Sequence, residues 1–185
     1  MECDAEHYES IGRMIVKFQY LEHCIEWYIW HLLRVPKRQA DIVLCEASFS
    51  RKLSMLQSLG MDTFASPPHD YVHKDDHLRE LERIMKEAFL CEARRNQFIH
   101  SYWLEGVRPT DGKVIRIKMT AKSGRGLRTQ GESLSAREIL EVASTMERLA
   151  QDTLRACQWA MIQYDLDYCP GMTFGSSDRD DSFTS

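Results

Sequence analysis

The chain has 185 residues, 43% of them apolar, with a formal net charge of −4 and an isoelectric point near 6.0. That is enough apolar side chain for one domain with a full core. The acidic balance excludes wholesale coating of nucleic acid, so any such contact must use a local basic patch.

Glu6 to Arg34 reads as a long amphipathic helix: Met14, Phe18, Leu21, Ile25, Tyr28 and Leu32 recur at steps of four and three, and Pro36 ends it. A second helix is predicted from Gln39 to Leu59, closed by Gly60 as a C-terminal cap, before the loop Ser66-Pro67-Pro68. A third starts near Asp75 or Asp76 and continues to about Trp103. Arg108-Pro109-Thr110-Asp111-Gly112 is then a turn, Val114 to Met119 alternates as a half-buried strand does, and Leu104 to Val107 pairs with it in a hairpin over about 104–120. Ser123-Gly124-Arg125-Gly126 is another loop. Ser135 and Glu138 have capping-box spacing, and a last long helix runs from there to about Tyr164, with Ile139, Ala143, Met146, Ala150, Cys157, Met161 and Tyr164 inward.

The expected fold is all-α, a four- to five-helix bundle with a small β-hairpin between the third and last long helices. It forms one domain over 1–168, followed by a disordered Gly-, Ser- and Asp-rich tail over 169–185. The N-terminus is acidic where a signal peptide is basic, and no apolar run reaches the length of a membrane span, so a cytoplasmic location without membrane contact is expected. The six cysteines are scattered singly, three at helical core spacing, which predicts reduced thiols and no zinc site.

At 100° per residue, Leu78, Leu81, Met85, Ala88, Phe89, Ile99 and Trp103 share one face of the third helix. Glu92 and Asn96 fall inside that face, with Arg95 at one edge and His100 at the other. An unpartnered buried polar group costs about 1–3 kcal/mol, so these residues are either a satisfied buried network or a polar notch that opens onto a ligand. A second row, Ile84, Cys91 and Phe98, packs either on the last helix of the same chain or on a second subunit.

Arg95, four intervening residues and His100 resemble the Arg-x4–6-His motif of the HEPN superfamily. Arg94 also satisfies that motif, and Asn96 matches the family's polar residue after the arginine. The context is similar too: a long first helix carrying Leu21-Glu22, the motif at the end of the third helix, then a last long helix, a resemblance spanning roughly Glu6 to Tyr164. It implies a metal-independent endoribonuclease that needs no cofactor and works as a homodimer, its two motifs facing each other. It also implies a toxin or antiphage role, with an inhibitor or antitoxin protein as a further partner.

Carried over, Arg95 holds the scissile phosphate. His100, whose ordinary pKa is about 6.5, is general base on the ribose 2′-OH or acid on the leaving 5′-oxygen. Asn96 orients the imidazole or bonds the phosphate. The expected product is a 2′,3′-cyclic phosphate, and DNA, lacking the 2′-OH, resists. One histidine does not easily serve as both base and acid, and a dimer contributes two. An ion pair from Glu92 to Arg95 would partly neutralise the arginine. Many HEPN domains have lost catalysis, so the alternative is a silent bundle that binds a nucleotide or a protein; a third possibility is an unrelated helical adaptor.

Lys113, Arg116, Lys118, Lys122, Arg125 and Arg128 form a run uninterrupted by acidic residues. It reads as a basic arm guiding RNA toward His100, with Arg94, Lys113, Arg116 and Lys118 as candidate substrate contacts, or as ordinary strand-edge charge. His69, His73 and His77 recur every four residues, but Pro67-Pro68 and surface-like neighbours favour a solvated loop and helix start over a metal site. His7, His23 and His31 read as packing or interface residues, and Trp27, Tyr28 and Trp30 as a protein contact. There is no Gly-rich phosphate loop and no Gly-x-Ser-x-Gly turn, which disfavours ATPase and serine hydrolase chemistry.

Overall fold

A computed structural model describes residues 5–65, 74–104, 113–122, 126–164 and 166. Within them the chain forms α1 (Ala5–Leu33), α2 (Lys37–Cys45), α3 (Phe49–Ala65), α4 (Lys74–Ile99), β1 (Tyr102–Leu104), β2 (Val114–Lys122), β3 (Gly126–Leu134) and α5 (Ala136–Tyr164). The predicted bundle is present, with a three-stranded antiparallel sheet rather than a two-stranded hairpin between its last two helices. The predicted loop at Ser66-Pro67-Pro68, the turn at Arg108–Gly112 and the tail lie outside the described residues.

All six predicted inward residues of α1 are buried. Arg34, with φ 53°, takes the left-handed conformation that ends a helix before Pro36. α1 and α5 run parallel: Lys17 Nζ meets Glu147 at 2.5 Å, and Arg34 donates to the Tyr164 carbonyl at 2.9 Å. α4 runs the other way against α5, since Arg83 pairs with Asp152 at 2.8 Å and Arg148 with Glu87 at 2.7 Å. The capping box forms, Ser135 N–H donating to Glu138 Oε2 at 2.8 Å and Glu138 N–H to Ser135 Oγ at 3.2 Å. Cys24, Cys91 and Cys157 are buried thiols. No described helix is long and apolar enough to cross a membrane.

The predicted second helix is two. It breaks between Cys45 and Phe49, where the Ser48 hydroxyl accepts the Arg51 N–H at 3.3 Å and starts a new helix. Gly60 is not a cap. It lies inside α3, and a Cβ there would collide with Leu81 Cδ2, so its missing side chain is what lets α3 and α4 approach.

The inward face of α4 also differs from the predicted one. His77, Leu81, Ile84, Met85, Ala88, Cys91 and Phe98 are buried, whereas Phe89 and Ile99 are 43% and 37% exposed. The row of Ile84, Cys91 and Phe98 therefore packs within the chain, with Cys91 near Arg148 of α5. α4 stops at Ile99, short of Trp103, because side chains take its last carbonyls. Ser101 Oγ and the Arg116 guanidinium, the latter at 2.9 Å, donate to Gln97 O, and Trp103 Nε1 donates to Phe98 O at 3.2 Å.

Two further expectations are corrected. His77 is no solvated residue: it is buried, stacks on Trp159 at 4.4 Å, and its Nε2 shares a hydrogen bond with the Tyr28 hydroxyl at 2.6 Å. Tyr28 and Trp30 are buried in the core rather than displayed to a partner, because α1 is covered by α5 and α3 over most of its length.

Candidate functional site

The last two turns of α4, the start of α3 and the sheet meet at one end of the bundle. The register Trp103↔Arg116↔Glu132 puts those three side chains on one face of the sheet, toward α4. Arg116 is only 5% exposed. It donates to Gln97 O and Ser101 Oγ, pairs with Glu132, and lies 5.8 Å over the Phe98 ring. Arg94 also reaches Glu132, at 3.6 Å. Two of the arginines taken as RNA contacts are thus engaged by one glutamate, and Arg116 is buried where no strand of RNA reaches it.

Arg95 is placed differently. Its guanidinium lies 5.4 Å over the Phe18 ring and donates to Asn96 Oδ1 at 3.0 Å. Its Nε is buried with no hydrogen-bond partner, and among the described residues no carboxylate lies within 4 Å of it. The Glu92–Arg95 ion pair weighed from sequence does not form. Glu92 instead lies close to the backbone N–H of Ser50 in the first turn of α3, an amide that favours its charged form. Burial pushes the Glu92 carboxyl up, opposed by that amide and by the more distant Arg95 charge, and reinforced by Glu22.

Beside it lies an ion cluster that spacing alone did not reveal. Lys52, buried on α3, sits between Glu22 at 2.5 Å and Glu26 at 2.6 Å. Desolvation acts to lower the Lys52 pKa, but its bonds to the two carboxylates outweigh burial and leave it raised. The sequence signal was there: Lys52 falls on the inward stripe of Phe49, Leu53 and Leu56.

His100 is exposed at the end of α4, its N–H bonded to Asn96 O at 3.2 Å. Five residues at 100° place it about 140° around the helix from Arg95. The structure therefore brings Arg95 and Asn96 together but turns His100 to the outside. Lys113 and Lys118 are half-buried on the strand side of the same end. A groove of about 390 Å³ between α3 and α4, floored by Met61, Leu78 and Met85, contains none of these residues. Among the described residues, no three potential metal-binding side chains gather in one place. No protein-family model matches the chain, and neither a characterised protein nor a solved structure matches it.

Proposed function

We propose that this chain is a metal-independent endoribonuclease of HEPN type that acts as a homodimer, with a toxin or antiphage role and an inhibitor protein as a natural restraint. The single observation that supports it best is the state of Arg95: a fixed cation with no carboxylate within 4 Å among the described residues, beside an amide side chain, while its neighbours Arg94 and Arg116 share Glu132. Such a cation suits a phosphodiester oxygen, because the charge that develops on phosphorus-bound oxygen in the transition state meets a preset positive partner.

The chemistry needs only the chain's own groups. A neutral imidazole takes the proton of the ribose 2′-OH, the 2′-oxygen bonds to phosphorus, and the bond from phosphorus to the 5′-oxygen breaks. A protonated imidazole returns a proton to that 5′-oxygen, leaving a 2′,3′-cyclic phosphate and a 5′-hydroxyl. Two imidazoles in opposite states are required, and among the described residues the end of α4 offers one exposed imidazole, His100. The 140° divergence makes the same demand, since an exposed His100 reaches an Arg95-bound phosphate most simply from a second chain. That divergence also favours a second reading, a silent bundle in which Arg95 binds an anion without cleaving it.

Replacing exposed His100 by alanine is expected to abolish RNA cleavage with the circular dichroism spectrum unchanged, and EDTA is expected to have no effect. Cleavage that persists in His100→Ala, or is lost in EDTA, overturns the catalytic proposal. RNA binding without cleavage by the unmodified chain selects the silent bundle.

A further inference from the structure

β3 is an outer strand in the order β1-β2-β3, so among the described residues nothing pairs with its far edge. It is nine residues long, and all of it except Glu132 and Leu134 is exposed. Such an edge is a template for another strand, and proteins commonly blunt it with proline, lysine or a bulge. Gly126–Leu134 contains neither proline nor lysine, and its pairing with β2 runs unbroken from Val114↔Leu134 to Lys122↔Gly126.

What the edge carries is self-complementary. The charges of β3 are Arg128 and Glu132, placed symmetrically about Gln130 and on the same face of the strand. If β3 pairs antiparallel with a second β3 about Gln130, each Arg128 stands opposite a Glu132, twice over. A slip of two residues leaves both charges without an opposite; a slip of four sets arginine against arginine or glutamate against glutamate.

We infer that β3 is the homodimer strand: two copies pair edge to edge about Gln130 to make one continuous six-stranded sheet. Glu132 is held from below by Arg94 and Arg116, so this pairing carries both α4 ends toward the two-fold axis. The interface rests on β3 alone, whereas its catalytic consequence rests on the proposed function.

The test uses the full chain. Sedimentation is expected to give the dimer mass. Opposed residues in an antiparallel pair have Cα atoms about 4.5–5.5 Å apart, within disulfide reach. Gln130→Cys, at an exposed position, is therefore expected to form a reductant-sensitive covalent dimer under mild oxidation, which the unmodified chain and Thr120→Cys do not. Arg128→Glu is expected to weaken dimerisation at least roughly tenfold in Kd with the fold intact. A monomer at the same concentrations, or a dimer that Gln130→Cys fails to link, overturns the inference. A linked dimer that leaves RNA whole keeps the interface and removes the catalytic proposal; RNA cleavage by a chain that does not link does the reverse.

Discussion

Glu132 is shared by Arg94 on the helix and Arg116 on the strand, and this sharing separates structural cations from available ones at the end of the bundle. Arg116, buried and bonded to Gln97 O and Ser101 Oγ, ties sheet to helix. Arg116→Ala removes one donor each from Gln97 O and Ser101 Oγ and leaves Glu132 with the more distant Arg94 alone, so a loss of about 2–4 kcal/mol is expected in chemical unfolding. Lys118→Ala, on the same strand face, is expected to leave stability unchanged while lowering the slope of RNA affinity against salt by about one. Equal effects from the two substitutions would contradict this division of roles.

His77 carries a second prediction at this scale. Burial pushes its pKa down to about 4, and it stays a neutral hydrogen-bond partner of the Tyr28 hydroxyl. The unfolded chain, with an ordinary value of about 6.5, takes up the proton more readily, so the stabilisation is complete above pH 6.5 and falls as pH drops toward 4. The expected loss is about 3 kcal/mol across that window. Unfolding free energies of His77→Phe at several pH values should lack this slope; an unaltered slope would assign it to other groups.

Among the elements, α4 is the one whose ends and faces are set by its neighbours. Periodicity carries it on to Trp103, because no residue type after Ile99 marks a stop. No proline or glycine stands there, and the carbonyls are taken by Ser101, Trp103 and Arg116, one of them distant in the chain. Conversely, the capping box at Ser135 and the stripe on α1 were legible because both depend only on nearby residues. Gly60 has a local signature that misleads: it reads as a helix end, but its function is contact with Leu81. Gly60→Val is expected to destabilise by about 1–3 kcal/mol through overpacking, measured as a shift of the denaturant midpoint. A stabilised variant would mean that α3 and α4 separate easily.

At the scale of the whole molecule, parallel α1 and α5 and antiparallel α4 bring Phe18, Glu22, Lys52, Glu92 and Arg95 together, drawing on three helices. The type and order of most elements, the capping of α5 and the motif from Arg95 to His100 followed from the sequence by itself, since periodicity and caps express contacts between residues a few positions apart. Only the tertiary structure decided which side of α4 faces inward, because that depends on where α3, α5 and the sheet come to rest. It is that packing that turns Arg95 over Phe18, buries Arg116, leaves His100 outside and exposes the edge of β3.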